Sequence, residues 1–581
     1  MIIPQSFDAF SKIYFCDFEF TEVNGEKPIV ICAVAKELRS NKTIRLLHEG
    51  ASEFLHKFPV LGPNELFVAY SASAEMKCIE ILGIKMPENV LDLFAEFRKL
   101  TNGSLSPKES GLLSALRFFG HETMENAEKE RMRSLAIRGG PFTEEEKSAL
   151  IEYCETDVLE LEKLFLSMKD NIDLPRALLR GEYMKAIAKV ELNGIPIDED
   201  KLSEFNSKWD DLKLRLVETM GKDYPVFDGI SFNQNRFENF LENHAIPWPR
   251  LETGRLDLKD DTFKEMSVRY PMIGALRELR KILSNLKLHE LPVSKSDNRN
   301  RTSLKPFMSI TGRNQPSTNK FIFGLPKWLR GLIKPPIGKA LAYIDYCQQE
   351  FGIAAKLSGD ENMMEAYRSG DPYLALAVQS GAVPKDATKK THPEKRALFK
   401  ECVLAVQYCM GQKSLAERIE LSLAHAKEIL DLHKRTYCNF WEFTRNHLDN
   451  ASLEGRAVTT FGWVMHYRTG ETKLATLQNF PMQANGAEML RLAIILLNEA
   501  GIKVCAPVHD AVLIESDIDT IELDVTKAQG LMAKASRVVL DGFELRTDVE
   551  IVRYPERFMD ERGLEMWTRI NDELSQITAR G

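Results

Sequence analysis

The chain has 581 residues, 44% hydrophobic and 28% charged, with a formal net charge of −8. That length exceeds what one hydrophobic core supports, so at least two domains are expected, and the composition excludes a disordered or fibrous chain. Nine cysteines without a CxxC pair exclude a zinc ribbon and a disulfide framework. They point to a reducing compartment. No apolar run is long enough to span a bilayer, and "MIIPQSFDAF" lacks the basic start and apolar centre of a secretory signal, so a cytoplasmic protein without a membrane partner is expected.

In chain order, "KIYFCDFEF" and "PIVICAVAKEL" read as paired strands and "SAEMKCIEILGI" as an amphipathic helix. "FTEEEKSALIEYCETDVLELEKLFLSM" reads as a long helix with Thr143 as N-cap and acids in its first turn. An α/β domain is therefore expected over residues 1–175. From about 181 to 300 the pattern is mostly helical and charged. Between Asp297 and Asp345 there is no acid, while Arg299, Arg301, Lys305, Arg313, Lys320, Lys327, Arg330, Lys334 and Lys339 all fall there, which predicts a local cationic surface despite the net charge. The apolar run "ALAYI" then delivers the chain straight to Asp345, with Glu350 five residues on. "KVCAPVHDAVLIES" reads as two apolar strands joined by a tight turn at His509 and Asp510. There is no internal repeat and no low-complexity tract.

Several of these segments carry chemistry. "CDFEF" sets Asp17 and Glu19 two apart, so on a strand both carboxylates share one face, and a divalent cation is the usual reason to tolerate such a pair. "YCETDV" sets Tyr153 and Asp157 at i and i+4 on a helix, and Glu75 is a further acid beside an apolar strand. From Lys390, Arg396, Lys400 and Leu404 recur at i, i+4 and i+8, with Tyr408 a turn further. At roughly 100° per residue the two cations lie within about 40° of each other. Cations on one helical face with an apolar and an aromatic residue beyond them suit a triphosphate at one end and a base at the other.

Together, Asp17, Glu19, Glu75, Tyr153 and Asp157 have the order and spacing of the DEDD 3′-5′ exonucleases with a tyrosine-type third motif. Ser71 stands near that family's usual Asn, and Glu75 stands for its Asp. Further on, "DYCQQE" resembles motif A of family A DNA polymerases, "RALFKECVLAVQYCMG" their motif B and "PVHDAVLIES" their motif C. "TGRNQPS" and "LQNFPMQANGAEMLR" stand where that family has its TGR and asparagine-glutamine segments. Five motifs in order across some 200 residues identify the chain as similar to that family, in its large-fragment form.

The resemblance implies a multidomain α/β and α+β fold: an RNase H-like exonuclease domain (1–175), then a right-hand polymerase domain (181–581). In the latter, residues 181–300 are the implied thumb, 301–365 and 472–581 the palm, and 366–471 the fingers. It implies Asp345 and Asp510, with the Tyr346 carbonyl, as ligands of two Mg2+ ions. A second pair is implied at Asp17, Glu19, Glu75 and Asp157, with Mn2+ able to substitute. Arg396 and Lys400 are implied to meet the dNTP phosphates. Tyr408, Leu404 and Gln348 are implied to lie near the nascent pair, with Glu350 closing the sugar's 2′ side. Arg313, Asn479, Gln483 and His509 are the implied contacts to primer-template DNA.

Ala511 follows the motif C aspartate where the main bacterial branch has a second acid. Gly352 replaces an arginine, Cys347 a serine, and Leu404 stands where an aromatic is common. "QQEFGIAAKLSGD" and "HDAVLIE" look closer to phage-encoded members, which implies phage genome replication by a monomer aided by a helicase, a single-strand binding protein or a processivity factor. A single-subunit RNA polymerase lacks the exonuclease domain and a Glu350-like gate. A nuclease whose polymerase half only binds DNA would show broken palm carboxylates, and these are intact.

Overall fold

The strand Lys12–Thr21 (β1) alternates buried apolar side chains with more open polar ones, and it sits at the centre of the first sheet because both its edges find partners. It pairs antiparallel with Ile29–Glu37 (β2) and parallel with Glu65–Ala69 (β4). Thr43–Leu47 (β3) and Asn89–Asp92 (β5) complete the order β3-β2-β1-β4-β5. Helices Ser73–Ile81 (α1), Leu93–Thr101 (α2), Asn126–Arg138 (α3), Glu144–Met168 (α4) and Leu174–Asn193 (α5) follow. α4 begins in a capping box: Thr143 Oγ1 accepts from Glu146 N–H at 3.2 Å, and the Glu146 carboxylate accepts from Thr143 N–H at 3.0 Å. Its buried side chains, including Cys154, Leu161 and Phe165, pack with Phe15, Val34, Val68 and Phe97 into one core. The computed structural model describes residues 4–580 apart from 49–53, 55, 60, 105–108, 124–125, 221, 285–287, 408, 420 and 469.

The second sheet is built from Lys339–Tyr346 (β6), Lys503–Val508 (β9), Ala511–Asp517 (β10) and Thr547–Arg553 (β11), in the order β9-β10-β6-β11. Helices Gln349–Ser358 (α6) and Pro393–Gln407 (α7), the hairpin Arg456–Val458 (β7) with Val464–His466 (β8), and the long helix Leu474–Glu499 (α8) lie between β6 and β9 in sequence. β6 and β10 run antiparallel with Asp345 opposite Ala511.

Contacts divide the chain into two compact units. One joins Met1–Gly194, Ser303–Gln315 and Gly338–Ile551, and thus holds both sheets. The other joins Ile195–Thr302, Pro316–Ile337 and Val552–Gly581. In that second unit Trp328 packs against Phe205 (ring centroids 5.9 Å) and Trp209 (6.5 Å), and Trp567 closes on Phe205 at 5.6 Å. A second aromatic nest of Phe232, Phe237, Trp248 and Phe263 has the Arg280 guanidinium over two of its rings. No described helix is long and apolar enough to cross a membrane.

Of the nine cations expected to form a surface between Asp297 and Asp345, five are paired with acids. Arg301 pairs with Asp297, Arg330 with Asp560 at 2.6 Å, Lys334 with Asp198 at 3.5 Å, Lys339 with Asp517 at 2.6 Å and Arg313 with Glu350 at 3.7 Å. Most of those acids arrive from distant segments, which a local charge count does not see. All nine cysteines are free thiols.

α5 crosses β5 so closely that a Cβ on Gly181 would lie 1.8 Å from the Val90 carbonyl oxygen. Next to it, Arg180 holds Glu96 through two hydrogen bonds of 2.5 and 2.9 Å in a dry setting. Gly181→Ala must push α5 off the sheet. A thermal melt is expected to show a destabilisation of at least about 1–3 kcal/mol, and an unchanged melting temperature would contradict this packing.

Candidate functional site

Period-two geometry on β1 sends Asp17 and Glu19 to the same side, and α4 brings Asp157 against them, so one carboxylate oxygen from each lies within 4.8 Å of the others. Three acids so close repel one another in a low-dielectric setting. Burial, then Asp157, pushes Asp17 up to about 7, and burial with the Asp17 charge drives Glu19 well above the carboxylate range. Tyr153, one turn before Asp157, is raised by burial and then by Asp157, Glu19 and Asp17, so its hydroxyl stays protonated. Cys154 donates its thiol to the Asp17 carbonyl at 3.3 Å.

Glu75 sits in the first turn of α1, 4% exposed, and lies outside that tight group of three, although after burial the Asp17 charge is the largest influence raising it. Its position is set by Asp92, whose buried carboxylate accepts from Ser71 and Ala72 N–H, both at 3.1 Å, and so fixes the corner where β4 meets α1. Ser71 there has φ +72°, the left-handed region.

Asp17 Oδ2 and Glu75 Oε2 are buried without a hydrogen-bond partner, oxygens that suit a divalent cation. The sequence reading missed Lys129, on α3, whose ammonium meets both Asp157 oxygens at 2.9 Å and lies 5.7 Å from the Tyr153 ring centre. No local pattern in "EKERMRS" marks it.

The second cluster is formed at the end of β6. A two-residue turn joins β9 to β10, with His509 at φ +58°, and the Asp510 carbonyl accepts from Tyr346 N–H at 3.4 Å. Asp345 and Asp510 thereby meet: burial first, then the Asp510 charge and a hydrogen bond shared with it, push Asp345 up to about 7. Asp345 Oδ1 and Gln348 Oε1 are buried without partners, so this site too has donors that suit a cation.

Asp548, on β11, is a third carboxylate that raises Asp345 and hydrogen-bonds the Cys347 thiol; sequence reading passed over it because "TDVEI" reads as an ordinary strand. Ala511 is fully buried opposite Asp345, so an acid at that position would have to be buried. Gly352 is explained by its neighbours, since a Cβ there would lie 2.4 Å from Leu545 and 3.0 Å from Tyr367.

Glu350, half-buried on α6, faces Arg313 at 3.7 Å and hydrogen-bonds Gln483. Asn479 and Gln483 fall one turn apart on α8, at two of the less buried positions of a mostly buried stretch. On α7, Lys400 is exposed and Leu404 half-buried, while Arg396 is held by Asp371 and lies over the Tyr373 ring. Asp371 is the third residue that sequence reading missed. Tyr346 is buried and donates its hydroxyl to the Met532 carbonyl at 2.7 Å. Tyr408 lies outside the described residues.

The raised Asp345 has a consequence for stability. A carboxyl whose folded pKa is about 7 stabilises the fold fully below its unfolded value near 3.8, and that contribution is lost as pH rises through 7. In a metal chelator, Asp345→Asn is therefore expected to melt above the parent at pH 8, with the gap closing towards pH 6. Saturating Mn2+ should stabilise the parent most at pH 8, where the ligand is deprotonated. A gap that widens as pH falls would contradict the assignment.

Residues 237–553 match the model of DNA polymerase family A, more than half of the chain. The chain is 24% identical over 449 residues to DNA polymerase I of Aquifex aeolicus, covering 70% of this chain and 75% of that protein. It is 26% identical over 255 residues to the DNA polymerase of Mycobacterium phage L5, covering 43% of this chain and 38% of the phage protein. The fold matches that of the POL domain of Pol1 from M. smegmatis, solved in complex with DNA primer-template and dNTP. The TM-score is 0.71 at 17% identity, over 93% of this chain and 95% of that one. The five motifs lie within or beside the matched span, and two of them bring Asp345 and Asp510 together: the chain belongs to DNA polymerase family A.

Proposed function

We propose that the chain is a template-directed DNA polymerase that lengthens a primer 3′ end with dNTPs, and that its first domain is a 3′-5′ exonuclease that edits the same end. The observation that carries the reading is the Asp345–Asp510 pair, with an unpartnered Asp345 oxygen, at the end of a strand in a family A chain. Asp345, Asp510 and the Tyr346 carbonyl would hold two Mg2+ ions. Asp17, Glu19, Glu75 and Asp157 would hold another two. When bound, Mg2+ supplies Lewis-acid activation of the attacking oxygen, a primer hydroxyl in one site and water in the other, and neutralises charge on the leaving group.

The protein's own groups then divide the work. Arg396 and Lys400 face the triphosphate, where their charge offsets what develops on pyrophosphate, and Arg396 must leave Asp371 to do so. Glu350, fixed by Arg313 and Gln483, closes the 2′ side of the sugar. Arg313, Asn479, Gln483 and His509 contact the primer-template, with Gln348, Leu404 and Tyr408 near the nascent pair. Tyr153 and Lys129 flank the exonuclease carboxylates, the former with a hydroxyl that stays a donor. Residues 181–300 act as thumb, 301–365 and 472–581 as palm, and 366–471 as fingers. The setting is phage genome replication in the host cytoplasm, by a monomer working with replisome proteins.

Extension of a labelled primer on a longer template in Mg2+, with and without dNTPs, tests both halves. The parent is expected to lengthen the primer with dNTPs and shorten it without them. Asp510→Ala should only shorten it, and Asp17→Ala should only lengthen it. Shortening by the parent under both conditions would overturn the polymerase reading. Lengthening with no shortening by the parent would overturn the exonuclease one.

A further inference from the structure

The segment Ser303–Gln315, which carries Arg313, has no helix or strand of its own, and Lys305 and Phe307 sit at φ +46° and +60°. A strained, irregular backbone keeps one conformation only if its surroundings impose it. Here side chains from outside the segment claim four of its carbonyls. Arg98 donates from Nε to the Phe307 carbonyl at 3.4 Å and from Nη2 to that of Met308 at 3.0 Å. Asn102 donates to the Ile310 carbonyl at 2.7 Å, where Trp463 Nε1 also donates at 3.0 Å. Arg491 donates to the Gly312 carbonyl at 2.7 Å.

Two of these four side chains, Arg98 and Asn102, come from the end of α2, in the first domain. Asn102 is fully buried, and its side chain also donates to the Val464 carbonyl at 2.7 Å while its backbone carbonyl accepts from His466 N–H at 2.9 Å. The far end of the same helix is capped by Asp92, which accepts from Phe94 and Ala95 N–H and also holds the corner that aims Glu75. Glu96, in the middle, is clamped by Arg180. A nine-residue helix about 14 Å long is thus tied at one end, through Asp92, to the corner that carries Glu75 and at the other to the loop of Arg313. Arg313 itself has a buried Nε without a partner and its fork 3.7 Å from Glu350.

We propose that α2 is a strut through which the first domain positions Arg313 for primer binding, with Arg98 and Asn102 as its positioning residues. The proposal rests on the reading of Arg313 as a primer-template contact. It makes primer binding in the polymerase site depend on residues that never touch DNA there, and it links the placement of the two active sites through one rigid element.

The test is a double-mutant cycle read as KM for primer-template against kcat, with thermal melts as a folding control. Arg313→Ala is expected to raise KM about tenfold with kcat within about twofold, the signature of lost binding common to ground and transition states. Arg98→Ala should do the same, and Arg98→Lys, which reaches one carbonyl only, should fall between. In the Arg313→Ala background, Arg98→Ala should add less than about twofold, because both act through one guanidinium. If Arg98→Ala does not fold, Asn102→Ser takes its place in the cycle. Effects that multiply in the double variant would overturn the strut, as would an unchanged KM in Arg98→Ala beside a raised one in Arg313→Ala. An unchanged KM in Arg313→Ala itself would overturn the reading of Arg313 and the strut with it.

Discussion

Repulsion between carboxylates held out of bulk water governs this molecule. Asp17, Glu19 and Asp157 crowd within 4.8 Å at one sheet, and Asp345 shares a hydrogen bond with Asp510 at the other. Neither arrangement lowers the free energy of the metal-free fold, and each keeps a carboxylate near a pKa of 7 where an exposed one would ionise near 4. A fold tolerates such strain where a ligand relieves it. Asp17 Oδ2, Glu75 Oε2 and Asp345 Oδ1 are left without partners, and the proposed cations would take their place there.

Much of the remaining architecture keeps those oxygens in place. Asp92 spends its four hydrogen bonds on the corner that carries Glu75 and on the first turn of α2. The β6–β10 register sets Asp345 beside the two-residue turn that delivers Asp510. Close approaches at Gly181, Gly352 and Gly486 let helices seat directly on strands and on each other. At the first cluster Lys129 supplies positive charge from a separate helix, so those carboxylates are partly balanced before any cation arrives, while Arg313 pairs with Glu350 beside the second.

The sequence made legible what short periods encode. Same-side projection of Asp17 and Glu19, the Thr143 cap, the Tyr153–Asp157 helical pair and the His509–Asp510 turn all follow from spacings of two to four residues, and each is present. What it hid was long-range. Lys129, Asp371 and Asp548 join their sites through tertiary packing, and nothing in their local patterns differs from ordinary surface charge. The basic run before Asp345 is partly balanced for the same reason: counter-charges Asp198, Asp517 and Asp560 lie far away in the chain. Charge distribution along a sequence and charge distribution on a folded surface are different quantities.

The central claim, that two separate carboxylate clusters exist to bind divalent cations, is tested most directly by Mn2+ binding followed by electron paramagnetic resonance in the parent, Asp17→Asn and Asp345→Asn. The account predicts two independent sets of sites, with each substitution removing one set and sparing the other. Saturable binding that survives both substitutions unchanged, or no saturable binding in the parent, would contradict it.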